Sequence, residues 1–177
     1  MKKLPIIIFF LISVASFAQQ PIPTLVKSVA DITNSFSYDL GYTEMGGKLY
    51  FCNDDGLYVT DGTNAGTYLI KGIKHFQWPH KLAVVNNKVL FVVNDDTHGK
   101  ELWVSDGTEN GTHLLLDIYP GKSSGISADI YNPTYVLPVL NNEAYFYAND
   151  GTNGIELWKS DGTVTGTIML KDINPTP

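Results

Sequence analysis

Acidic residues are the part of this chain best suited to chemistry, and they recur in phase. Asp61, Asp106 and Asp161 sit in three copies of one phrase: Thr60-Asp61-Gly62-Thr63-Asn64-Ala65-Gly66-Thr67, Ser105-Asp106-Gly107-Thr108-Glu109-Asn110-Gly111-Thr112 and Ser160-Asp161-Gly162-Thr163-Val164-Thr165-Gly166-Thr167. The thirteen Asp and five Glu could include the carboxylate pair of a glycoside hydrolase, although most of the aspartates fall in repeat turns, where ligand contact is the alternative to a structural role. A second set lies in Asn94-Asp95-Asp96-Thr97-His98-Gly99-Lys100-Glu101 and Asn149-Asp150-Gly151-Thr152-Asn153-Gly154-Ile155-Glu156, oxygen-rich and bent by glycine like a calcium loop. Calcium takes about six to eight oxygens. Gly151 replaces one candidate aspartate, and the first copy shortens the loop to Asn53-Asp54-Asp55. Polar hairpins explain these runs more simply, so calcium is the one cofactor they admit and no metal ligand is assigned.

The repeated phrase also has a purely local explanation. An aspartate can bond the backbone two residues on, the next glycine can take a positive φ, and flanking hydroxyls can satisfy turn amides. The phrase is therefore expected to be a structural knot. His75, His80, His98 and His113 show no metal spacing and no link to a nucleophile. All 12 basic residues are lysine, so the arginine cluster with which sialidase-type propellers grip a carboxylate is absent. No catalytic residue is assigned. Tyr58, Trp103 and Trp158 occupy one position in the three copies and are expected to anchor packing, with a sugar-stacking surface as the alternative. Trp78-Pro79-His80 does not repeat and is the best candidate for an exposed aromatic contact.

The elements that position these residues follow from the repeat. The aspartates are spaced by 45 and then 55 residues, a period that marks stacked arrays whose units cannot bury their apolar faces alone. In the second unit, 81–86 and 88–93 read as strands around an Asn86-Asn87 turn. A polar loop over 94–100, strands over 101–105 and 112–118, and the phrase between them complete the unit. The third repeats this at 135–140, 143–148, 156–160 and 167–173. Four antiparallel strands per unit is the content of a propeller blade. Val89-Leu90-Phe91-Val92-Val93 and Ala144-Tyr145-Phe146-Tyr147-Ala148 are unbroken apolar runs, which implies sheets covered on both faces. Pro138 suits an edge strand lining a central channel. The fold expected is all-β, a propeller-like array of about three blades over 38–73, 81–118 and 135–173. The extra ten residues of the longer period fall around Pro120-Gly121-Lys122-Ser123-Ser124-Gly125, in a class of loop that commonly binds ligands.

Lys2 and Lys3, the apolar run over 4–17 and Ser16-Phe17-Ala18 read as a signal peptide over 1–18, leaving 19–177 as the repeat domain. The run is too short and too proline-broken to span a bilayer, so no transmembrane segment is expected after cleavage. The remaining chain has 10 lysines against 18 acidic residues, a charge of −8 that makes nucleic acid a poor partner. Cys52 is the only cysteine, which excludes an internal disulfide and reads as a small buried hydrophobe.

Glu101-Leu102-Trp103-Val104-Ser105-Asp106-Gly107-Thr108 and Glu156-Leu157-Trp158-Lys159-Ser160-Asp161-Gly162-Thr163 resemble the ELWxxDGT repeat, and the resemblance continues through Gly111-Thr112 and 117–121. It implies an exported bacterial protein with propeller-like repeats, often type IX secretion cargo, whose biochemical activity is generally unassigned. The first copy departs from the pattern, with Gly56, Tyr58 and Thr60 where the others have Glu, Trp and Ser. Residues 24–29 resemble an isolated last strand, and 174–177 carry no sorting domain. Three blades fall short of the four to eight of known propellers. Either the chain is a fragment of a longer product, or it closes by self-association, or it stands as an open stack. The function expected is non-catalytic: a secreted or cell-surface protein whose loops bind a polysaccharide or a surface protein in adhesion. The alternative is a glycosidase-type hydrolase active only in a complete ring.

Overall fold

The computed structural model describes residues 41–53, 55–73, 82–126, 137–173 and 175. Strands are the only regular elements among them, gathered in three four-stranded antiparallel sheets, each made from consecutive strands. Blade 1 comprises β1 (Tyr42–Met45), β2 (Lys48–Asn53), β3 (Gly56–Thr60) and β4 (Tyr68–Gly72). Blade 2 comprises β5 (Leu82–Val85), β6 (Lys88–Asp95), β7 (Gly99–Ser105) and β8 (His113–Leu116). Blade 3 comprises β9 (Val139–Leu140), β10 (Glu143–Asn149), β11 (Ile155–Ser160) and β12 (Ile168–Lys171). The all-β, blade-like architecture expected from the repeat is the one observed. Residues 1–18, read above as a signal peptide, residues 24–29, Asp54 and Trp78-Pro79-His80 lie outside the described residues.

Local chemistry starts each blade. Asn86 (φ 47°) and Asn87 (φ 57°) are both left-handed, as are Asn141 and Asn142, the signature of a two-residue hairpin whose twist matches its strands. The second hairpin differs from expectation: β6 runs on to Asp95 and β7 begins at Gly99, so the polar loop of blade 2 shrinks to 96–98. The reason is that Asp95 and Gly99 pair directly across the ladder. Pro138 stands just before β9, and its carbonyl still accepts from the Tyr145 amide at 2.9 Å.

The last strand of every blade carries a bulge at one place. Leu102 pairs with Leu116 and Trp103 with Leu114, leaving Leu115 as the extra residue. Ile70 and Leu170 are its counterparts. A bulge bends the strand and re-aims one side chain. Ile70 and Leu115 go into the seam beyond their own blade, whereas Leu170 stays exposed.

Strand β6 shows how the array is held. Val89, Phe91 and Val93 point to the front and pack with Tyr50, Cys52, Leu57 and Val59 of blade 1. Leu90 and Val92 point to the back and pack with Ala144, Phe146 and Trp158 of blade 3. Phe91 has 0% of its surface exposed, and burying a side chain of this kind stabilises by roughly 1.5–3 kcal/mol. The continuous apolar run on β6 is thus two period-2 sets, one for each neighbour. Strand β5 touches both β1 and β9, so the first strands of the blades gather together.

Strand β10 corrects the expectation of two covered faces. Ala144, Phe146 and Ala148 are buried against blade 2, but Tyr147 on the opposite face is 54% exposed. No further blade follows it among the described residues. Cys52 is fully buried in the seam between blades 1 and 2, and burial pushes its thiol pKa up, as a packed small hydrophobe requires.

Candidate functional site

The two ends of the stack have different chemistry. Hairpins at 46–47, 86–87 and 141–142 and the three repeated phrases lie at one end. Residues 95–98, 117–126 and 150–153 lie at the other.

At the first end, each fixed residue of the phrase has a bond to make. In blade 2, Asp106 Oδ1 accepts from the Thr108 amide (2.9 Å) and from Thr108 Oγ1 (2.7 Å), and Thr108 Oγ1 accepts from the Gly111 amide at 3.0 Å. Thr112 Oγ1 donates to the Thr108 carbonyl and lies 2.7 Å from Ser105 Oγ, which accepts from the Gly107 amide at 3.0 Å. Blades 1 and 3 repeat the network on Asp61 and Asp161. A Cβ on Gly111 would fall on the Asp106 carboxylate, which is why the phrase needs glycine there. The two variable positions of each phrase are exposed. The Thr108 hydroxyl and amide hold Asp106 below the usual carboxylate range, and Thr63 and Thr163 do the same for Asp61 and Asp161. The expected structural knot is what the geometry contains.

The same turns dock blade on blade. Lys88 Nζ donates to the Gly162 carbonyl at 2.9 Å, and Asn86 Nδ2 donates to the Asp161 carbonyl at 3.1 Å. Gly107 lies against the hydroxyl of Tyr50. Gly62 has no such contact among the described residues.

At the second end, Asp95 Oδ1 accepts from the amides of Thr97 (2.7 Å) and His98 (2.6 Å), and Asp95 Oδ2 lies 3.0 Å from His98 Nδ1. That contact raises the His98 pKa. Asp150 accepts from the amides of Thr152 and Asn153 and from Asn153 Nδ2. The carboxylates that suggested calcium thus shape their own hairpins. Among the described residues, no three His, Cys, Asp or Glu are arranged to hold a metal ion.

Glu101 is the residue whose role the sequence did not reveal. Its side chain is fully buried, and its carboxylate accepts from the amides of Ile118 (3.0 Å), Tyr119 (3.2 Å) and Gly125 (2.7 Å). Burial pushes its pKa up to about 7 against the pull of those three donors. Glu156 repeats the first contact, accepting from the Ile173 amide at 3.0 Å. The available signal was internal to the repeats: the copy that lacks the glutamate, at Gly56, is also the copy that lacks the long hairpin.

Glu101 binds the loop expected to present a ligand surface, and the described part of that loop is partly absorbed into the fold. Ile126 is 1% exposed, and its amide donates to the Lys100 carbonyl at 2.9 Å. It bridges Ala148 of blade 3, while Gly125 O accepts from the Asn149 amide at 2.7 Å. The Tyr119 ring lies against Gly151. Exposed at this end are 120–124, with Lys122, together with Asp96, Thr97, Gly151 and Thr152.

The recurring aromatics separate by blade. Trp103 packs against the seam with blade 1, its ring 6.4 Å from that of Phe91, and Trp158 is buried against blade 2. Tyr58 stacks on Phe51 at 5.5 Å, on a face that no described blade covers. Both tryptophans have a buried Nε1 with no hydrogen-bond partner among the described residues. His113 is exposed, and His75 and His80 lie outside the described residues. Among the described residues, no helix is long and apolar enough to cross a membrane. In comparisons with known proteins, no family model and no curated protein matches the chain.

Proposed function

We propose that this chain is a non-catalytic, exported repeat protein of the ELWxxDGT type, and that it binds a polysaccharide or a surface protein through the hairpin and loop end of its blades. The observation that carries the reading is how the repeated carboxylates are used. Asp61, Asp106 and Asp161 hold their own threonines, Asp95 and Asp150 hold their own hairpins, and Glu101 and Glu156 hold the chain leaving their blades. A carboxylate engaged in this way shapes a turn, whereas general acid–base work needs groups that face a substrate. The positively charged, apolar leader with its Ser16-Phe17-Ala18 site supports export to the surface or the medium.

The test is binding of the exported chain to arrays of bacterial and host glycans and to outer-surface proteins. Saturable binding is expected, weakened at least tenfold by Lys122→Glu and by His98→Ala. Release of reducing sugar from any glycan would overturn the reading in favour of a hydrolase. Absence of binding across both panels would overturn it as well.

A further inference from the structure

The three blades present the same two faces, and the structure contains two examples of how these faces meet. At both seams a front face built on a phenylalanine and an aromatic partner packs on the back face of the preceding blade. Phe91 with Trp103 meets blade 1, and Phe146 with Trp158 meets blade 2. Phe51 and Tyr58 form the same cross-strand pair on the front of blade 1, with no blade beside it among the described residues. Leu69 there is 41% exposed and Tyr42 68%. On the back of blade 3, Leu140 is 61% exposed and Leu170 44%, where their counterparts Val85 and Leu115 in blade 2 are buried. Gly62, whose equivalents dock on Tyr50 and Lys88, has no such neighbour among the described residues.

Charge separates these two open faces from the closed ones. Glu44 stands on the front of blade 1 where blades 2 and 3 have Val84 and Val139. Lys159 stands on the back of blade 3 where blades 1 and 2 have Val59 and Val104. Each open face thus carries one charge at a position that is apolar in both other copies, and the signs are opposite. Front against back brings unlike charges together, whereas front against front or back against back brings like charges together. Lys159 also supplies a cation beside the place of Lys88. Glu143 occupies that place in blade 3, and Lys159 Nζ lies 2.7 Å from Glu143 Oε1.

We propose that the front of blade 1 binds the back of blade 3 of a second copy of this chain, and that two copies close head to tail into a six-bladed ring. The contact is heterologous, so it must either close or polymerise. Six is the only multiple of three within the range of about four to eight blades that propellers occupy.

Light scattering and sedimentation of the exported full chain test this. A dimer is expected. Phe51→Asp on the front and Tyr147→Asp on the back should each raise its dissociation constant at least tenfold, with an unchanged far-ultraviolet circular dichroism spectrum. Mixing the two variants should restore a dimer, because each retains the face the other lacks. Glu44→Lys and Lys159→Glu should each weaken the dimer, and the two together in one chain should recover it. Those charge variants alter surface groups and keep the test valid if an aspartate variant misfolds. A monomeric wild type, its open faces covered by the chain's own residues 19–40, would overturn the proposal. So would a dimer insensitive to the back-face variants, or an open polymer that lengthens with concentration.

Discussion

In blade 2 the Ile118 amide donates to the Glu101 carboxylate, whereas in blade 1 the corresponding amide, that of Ile73, donates to the backbone carbonyl of Asp55 at 3.0 Å. Both blades must satisfy the same donor where the chain leaves the last strand. Blade 1 does so with backbone, because its hairpin is short: Asn53 pairs with Gly56, while in blade 2 Val93 pairs with Glu101. Gly56 has φ 146°, and a Cβ there would fall on the Lys71 carbonyl. Glutamate and short hairpin are therefore mutually exclusive. The glutamate of the repeat thus serves to tie a long hairpin to the exit loop, and in blade 2 it extends that tie to Gly125 and so toward blade 3.

The largest test of the difference between the blades is in their cores. Phe91 is fully buried in the seam with blade 1 and Phe51 is only partly buried, so Phe91→Ala should destabilise by about 3–5 kcal/mol. Phe51→Ala should cost about 1 kcal/mol when read by urea denaturation at high dilution. Equal losses would mean that the front of blade 1 is covered in solution even at that dilution.

A smaller effect is expected at the tie itself. Glu101→Ala removes the acceptor of three amides and should cost about 2–4 kcal/mol, while Glu156→Ala should cost about 1 kcal/mol. Hydrogen exchange at Ile118, Tyr119 and Gly125 should accelerate in the first variant only. Gly56→Glu should not transplant the tie into blade 1. It should destabilise by about 1–3 kcal/mol because its backbone conformation excludes a side chain.

The smallest effect is on pH. Glu101 titrates near 4.5 when unfolded and about 7 when folded, so the fold favours its neutral form. Its contribution to stability is fully present below pH 4.5 and is lost as pH rises through 7. The urea midpoint of the wild type should therefore fall across that window, and Glu101→Gln should flatten the profile. A midpoint that instead rises through pH 7 would show that the three amide donors outweigh burial.

Local features were legible before the fold was known. The paired asparagines announce left-handed hairpins, and the aspartate, glycine and threonines of the phrase announce a turn that bonds to itself, because all their partners lie within seven residues. The period announces stacked four-stranded units. Less could be read where a residue acts across a longer separation. The insertion around 120–125 read as a loop of the kind that binds ligands, and 121–124 are exposed, but the adjoining Ile126 is buried in the seam, held through contacts with Lys100 and Ala148. The aromatic run over 144–148 looked doubly covered, and among the described residues only one of its faces is.

Residue types and short spacings by themselves determined the strands, the turns and the three-fold repetition, because hydrogen bonds and backbone preferences within a few residues set all of these. Tertiary structure alone decided which copy of each repeated face is buried and where the carboxylate of Glu101 finds its donors. The same side chain on the same face is a core residue at Phe91 and only a partly buried one at Phe51. Burial depends on what lies opposite, and composition carries no record of that.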